Sequence, residues 1–143
     1  MKRLLLSCLP FGFCFAYAKP EPVDIGRLVD VVGQIENAET THIGGAGERS
    51  RYQITKVIWV MYSDMDFHRA SSKDPICLYE ARQVAWEHIR WLSLTLDRPT
   101  PYRIFLAWNA GFHAAQSGNV SNASVDYAKR ARNLYDEKDA DYP

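Results

Sequence analysis

Apolar residues recur along this chain at helical spacing and predict a series of helices. Leu28, Val31, Val32 and Ile35 share one face behind Asp24, a good N-cap, and predict a helix over 24–38. Residues 40–51 break the pattern, because Gly44, Gly45 and Gly47 lie among polar side chains in a turn-rich stretch. Tyr52-Gln53-Ile54 is short and β-inclined. Thr55 then caps a helix that carries Val57, Ile58, Val60 and Met61 as far as Ser63, and residues 64–75 read as a polar loop. The longest helix is predicted over 75–97, with Leu78, Ala81, Ala85, Ile89, Leu92 and Leu96 on one face. Thr100-Pro101 joins a cap to a first-turn proline. From Ile104 to Ala115 the chain is apolar almost all round, which predicts a single buried central helix ended by Gly118 and Asn119. A last helix over 124–137 aligns Tyr127, Ala131 and Leu134, and a tail follows from Lys138. The expected fold is mainly α, of the α+β kind, with a small β-like, Gly-rich insertion after the first helix.

Residues 1–18 follow a different grammar. Lys2 and Arg3 precede an apolar run from Leu4 to Phe15, and Ala16-Tyr17-Ala18 fits a small-x-small cleavage site. This is the pattern of a secretory signal peptide, too short to span a membrane, so the expectation is export to the periplasm or medium without stable membrane insertion. Cleavage after Ala18 leaves residues 19–143 as one domain. It carries 15 basic and 17 acidic residues, a net charge of −2 against zero for the whole chain. That balance excludes a strongly electrostatic partner, so no nucleic acid is expected. Cys77 is the one cysteine that survives cleavage, which rules out an intrachain disulfide; its apolar neighbours suit a buried structural thiol. Such a domain depends on its core, and a hydrophobic content of 47% supplies one. Nothing in the sequence fixes an oligomeric state.

Candidate chemistry gathers around Glu36. It lies on the margin of the first helix's apolar face and in that helix's last turn. Exposed carbonyls and the negative end of the dipole oppose ionisation there, and partial burial acts in the same direction. A carboxylic acid kept protonated is what protonation of a glycosidic leaving oxygen requires. Position alone favours a solvated helix-end residue. His42, His68, His88 and His113 show no metal-ligand spacing, and neither a phosphate-binding loop nor a nucleophile elbow is present. His88, near Trp91 in a helix, reads as packing or surface.

Four segments stand in order: Gln34-Ile35-Glu36-Asn37, the Gly-rich run from Ile43 to Ile54, Phe105-Leu106-Ala107-Trp108-Asn109-Ala110-Gly111, and Asp126-Tyr127-Ala128. Together they resemble the soluble lytic transglycosylase family and its lysozyme-like relatives, over roughly Val29 to Tyr135. The resemblance implies a lysozyme-like fold and cleavage of peptidoglycan glycan strands, without metal or cofactor. It implies Glu36 as the catalytic acid and then base. Gln53 would line the sugar cleft, flanked by Tyr52 and Ile54. Trp108 and Asn109 would stand where the family has Tyr-Asn, with Asn109 holding the substrate's acetamido group or the cleft backbone. Tyr127 would bring its hydroxyl to the catalytic glutamate. Asn37 replaces the family's usual serine, and Glu48-Arg49-Ser50 replaces small residues. Read as residues alone, Asn109 equally suits a buried amide satisfying backbone groups, and Tyr127 a core tyrosine.

Carboxylates decide the expected mechanism. A two-carboxylate hydrolase needs a second acid at a defined distance. Only Glu39 and Glu48 follow Glu36 closely, and both read as solvated charges. A single glutamate suits a route assisted by the substrate's N-acetyl group, ending in a 1,6-anhydromuramic product. A muramidase that recruits water with Glu48 or Glu39, and a catalytically silent domain that binds glycan or protein, are the alternatives.

Overall fold

The computed structural model describes residues 23–36 and 41–137. Residues 1–18, expected to form a signal peptide, the stretch up to residue 22, Asn37, Glu39 and the segment from Lys138 lie outside the described residues.

Helix α1 (Ile25–Glu36) starts where expected. The Asp24 carboxylate accepts from the Arg27 backbone N–H at 3.0 Å, occupying a donor that the first turn leaves unpaired. Leu28, Val29, Val31 and Val32 are fully buried along its inner face. The stretch that follows forms turns rather than strands. Arg49 and Ile54 exchange backbone hydrogen bonds of 2.9 and 2.8 Å as an isolated antiparallel bridge, and no strand occurs among the described residues. Ser50 (φ 66°) and Gln53 (φ 49°) take left-handed backbone conformations between the bridged residues, so the chain folds back too tightly to extend a ladder.

Helix α2 (Lys56–Tyr62) is capped by the Thr55 hydroxyl. The expected polar loop that follows holds a 3₁₀ turn, Phe67–Ser71. The Asp66 carboxylate caps it by accepting from the His68 N–H at 2.7 Å. Phe67 packs against the buried Trp59, ring centroids 6.1 Å apart, and Ala70 enters the core. Two apolar anchors and one cap outweigh the segment's polar composition. Helix α3 (Pro75–Thr95) is the longest, capped by Asp74. Its buried stripe is Cys77, Ala81, Val84, Ala85, Ile89 and Leu92. Leu78, expected on that face, is 38% exposed: the stripe begins one residue earlier, about 100° round the helix. Cys77 is the buried free thiol expected.

The central apolar segment is two helices, α4 (Pro101–Ala110) and α5 (Phe112–Ser117), not one. Gly111 divides them at φ 88° and ψ 152°, a conformation that only glycine adopts without strain. Ile104 to Ala107 are buried as the all-round apolar pattern implies. Gly118 ends α5 in the left-handed conformation. Helix α6 (Asn122–Glu137) begins two residues earlier than expected, because the Ser121 hydroxyl accepts from the Ser124 N–H at 3.1 Å and acts as the cap.

The protein is thus mainly helical. Helix α4 packs on α5 and α6, α1 packs on α3 and α6, and α2 with the 3₁₀ turn packs on α3. Trp59, Phe105, Leu28, Ile89 and Ile104 are fully buried where these helices meet; each such side chain contributes about 2–3 kcal/mol by leaving water. No helix among the described residues is long and apolar enough to cross a membrane. This packing brings the C-terminal end of α1, the turn region before α2, the end of α4 and the first half of α6 to one side of the molecule.

Candidate functional site

Glu36 ends α1 partly buried. The Tyr127 hydroxyl donates to its Oε1 at 2.8 Å, joining α1 to α6 across 91 positions of sequence. Burial raises the Glu36 pKa above the ordinary carboxylate value, and the nearby charge of Glu48 acts the same way. Donation by Tyr127 and Trp108, with the more distant Arg130 cation, pulls the other way without cancelling burial. Tyr127 is only 6% exposed. Its own ionisation is displaced far upward by burial and by Glu36, so it stays a hydroxyl and remains the donor. The pair therefore presents a carboxyl that holds its proton to higher pH than a solvated glutamate, in one fixed orientation.

Glu36 opens onto a groove of about 330 Å³. Gln53, Trp108 and Asn109 line the same groove, together with His42, Gly44, Gly45, Glu48 and Thr55. Three of the four segments singled out in the sequence therefore supply the groove, and Tyr127 from the fourth reaches it through Glu36. Gln53 is presented by the turn between Arg49 and Ile54. Its amide donates to the Ser50 carbonyl at 3.0 Å, which fixes the side chain across its own turn. The left-handed backbone at Gln53 and Ser50 costs on the order of 1 kcal/mol or more each. Gly44 makes the close packing here possible, since a methyl group at that position would overlap both the Glu48 carboxylate and the Gln53 amide. Trp108 is backed by His88, whose ring lies 5.6 Å away and stacks on Trp91 with planes 12° apart. His88 is thus a packing residue, as its place in the sequence suggested. Burial lowers its pKa to about 4, so the ring is neutral at ordinary pH.

Asn109 is exposed, which removes the buried-amide alternative and leaves its amide free to meet a ligand. Tyr127 is buried as a core tyrosine would be, yet its hydroxyl is committed to Glu36. Tyr52 and Ile54 do not line the groove, contrary to their expected place beside the substrate. They are 5% and 2% exposed and join the core beneath the turn. An alternating run next to a tight turn puts its apolar members inward and leaves Gln53, between them, to face out.

Glu48 is the residue that sequence reasoning undervalued. Taken there as a solvated charge, it stands in the groove wall, where its carboxylate accepts from the Ala46 N–H at 2.9 Å. His42, whose spacing fits no metal site, also lines the groove. No group of three or more His, Cys, Asp or Glu among the described residues is arranged to hold a metal ion. The arrangement can deliver a proton from Glu36 to a ligand oxygen and afterwards withdraw one, beside an indole face and two amides. No family model, curated protein or solved structure matches the chain.

Proposed function

We propose that this chain is an exported, lysozyme-like lytic transglycosylase that cleaves the β-1,4 bond between N-acetylmuramic acid and N-acetylglucosamine in peptidoglycan. The observation that carries the reading is the Glu36 carboxyl, its pKa raised, fixed by the Tyr127 hydroxyl at 2.8 Å and facing a groove that it shares with Gln53, Trp108 and Asn109. Resemblance in four ordered segments selected Glu36, Gln53, Trp108, Asn109 and Tyr127; the first four meet at one groove and Tyr127 bonds Glu36 from behind, which supports it. In the reaction Glu36 protonates the glycosidic oxygen as the bond breaks. The muramoyl N-acetyl oxygen stabilises the developing cation at C1, and Asn109 orients that acetamido group. Glu36, now ionised, removes the proton from the C6 hydroxyl as its oxygen bonds to C1. The product is a 1,6-anhydromuramic end, with no water consumed.

A second reading rests on Glu48. Its presence in the groove wall supplies a second carboxylate, which a muramidase would use to activate water. Digestion of purified sacculi, with the released ends identified by mass spectrometry, separates the two. Anhydro ends are expected; reducing ends transfer the assignment to the hydrolase. Absence of release, at protein levels where a lysozyme works, leaves a glycan- or protein-binding domain. Glu36→Gln is expected to lower cleavage by a factor of about 10³, and full activity in that variant would remove Glu36 from the reaction.

A further inference from the structure

Two hydrogen-bond acceptors converge in the wall of the Glu36 groove without a donor that serves both. The Gln53 amide nitrogen donates to the Ser50 carbonyl at 3.0 Å. A carbonyl can only accept, so this bond fixes which way the amide points and turns its oxygen away from Ser50. That oxygen, Oε1, lies against Gly44, and so does Oε2 of Glu48. One methyl group at Gly44 would overlap both, so the two oxygens are close enough to share a single ligand group. Glu48 is held in place by its own turn. Its Oε2 accepts from the Ala46 N–H at 2.9 Å, and its backbone carbonyl accepts from the Gly44 N–H at 2.8 Å. The Gln53 oxygen receives no hydrogen bond from another described residue.

The chemistry of the pair selects its occupant. A hydroxyl or a secondary amide carries one hydrogen and can serve only one of the two oxygens. A protonated primary amine carries three, reaches both, and gains charge-assisted strength at Glu48. The field of the groove agrees. Its described lining holds the carboxylates of Glu36 and Glu48 and neither lysine nor arginine, which favours a cation over an anion. A metal ion fits less well, because no three His, Cys, Asp or Glu among the described residues are arranged around one. Glu48 also stands where the family that the chain resembles has a small residue, so the pair marks a departure from that pattern.

We propose that the groove prefers glycan strands whose glucosamine is free of its acetyl group, with the C2 ammonium held between the Glu48 carboxylate and the Gln53 amide oxygen. The inference rests on the reading of the groove as a glycan site and deepens it by naming the sugar. The muramoyl unit keeps the acetamido group that assists cleavage, and the free amine belongs to the neighbouring glucosamine. In this role Glu48 holds substrate rather than activating water. De-N-acetylated strands are then cleaved with a lower KM than fully acetylated ones.

The test is calorimetric titration of the full chain with two β-1,4-linked tetramers, one of glucosamine and one of N-acetylglucosamine, in mildly acidic buffer that keeps the amines protonated. The glucosamine tetramer is expected to bind about tenfold more tightly, the size of one charge-assisted hydrogen bond. Glu48→Gln keeps an oxygen for the Ala46 N–H but loses the charge, and should remove most of that preference. Glu36→Gln should retain it, which separates a contact at Glu48 from a general attraction to an acidic groove. Equal affinity of the wild type for the two tetramers, or a preference that survives Glu48→Gln, would each overturn the assignment. Release of anhydro ends from acetylated and de-N-acetylated strands is measured separately. Release without any preference for the amine defeats the ammonium site alone. A preference for the amine without release from either strand defeats the glycan-cleaving reading.

Discussion

At the scale of single residues, Glu36 and Tyr127 form a coupled pair whose members act oppositely on one proton. Burial favours the neutral carboxyl, and the tyrosine hydroxyl favours the ionised one. Removing the hydroxyl in Tyr127→Phe therefore raises the Glu36 pKa further. The alkaline limb of the pH–rate profile should move to higher pH, while the maximal rate falls about tenfold or more through loss of orientation. A profile lowered without displacement would show that the hydroxyl does not act on the Glu36 proton. The same variant should cost about 1 kcal/mol of stability, the worth of one hydrogen bond, read from denaturant midpoints.

At the scale of elements, the decisive feature is the break at Gly111. It ends α4 just after Trp108 and Asn109, so Asn109 lies at a helix terminus open to the groove rather than in the middle of a longer buried helix. A methyl group at Gly111 would meet no atom within 4 Å, so the effect of Gly111→Ala isolates backbone strain. It should cost about 1–3 kcal/mol, seen as a lower denaturant midpoint. If the strain is relieved by straightening the chain, weaker glycan binding accompanies it through displacement of Asn109. Unchanged stability would mean that the α4–α5 join tolerates an ordinary residue. The pattern of apolar positions could not place this break, because Phe112, Ala114 and Ala115 continue a helical run and one glycine within a run is a weak signal. Caps were readable for the opposite reason: Asp24, Thr55 and Thr100 act through bonds to backbone only three positions away. The 3₁₀ turn at Phe67 was not, since it depends on Trp59, a partner brought close by the fold of α2. Within the site, Glu36, Gln53, Asn109 and Tyr127 could be chosen from sequence because motif order carried them. Glu48 could not, because its place follows from a turn whose path is set by Gly44 and by left-handed Ser50 and Gln53.

At the scale of the whole molecule, two half-buried titrating groups oppose each other in the response to pH. His88 lies where α2, α3 and α4 meet, among the rings of Tyr62, Trp91 and Trp108. Its Nδ1 is buried without a hydrogen-bond partner among the described residues, which is consistent with a pKa lowered from 6.5 to about 4. Below pH 6.5 the unfolded chain takes up a proton that the folded chain refuses. The stability that His88 contributes is therefore complete above pH 6.5 and falls away as pH drops towards 4, by at most about 3 kcal/mol. Glu36 has the reverse sign: its raised pKa makes folding most favourable below 4.5 and less so as pH rises through the folded-state value. Where the Glu36 window, which opens at pH 4.5, overlaps that of His88, the wild type shows the difference between two slopes, and single variants should expose each one. Denaturant midpoints of Glu36→Gln should rise more steeply with pH than those of the wild type, leaving it the more stable protein near neutrality. His88→Phe keeps an aromatic ring against Trp91 but cannot take up a proton, so its midpoints should lose the acid-side fall and decline slightly with rising pH. Parallel curves for His88→Phe and the wild type would place the acid-sensitive group elsewhere. Since Trp108 stands between His88 and Glu36, the same measurement reports whether the support behind the groove survives as the pH falls and Glu36 takes up its proton.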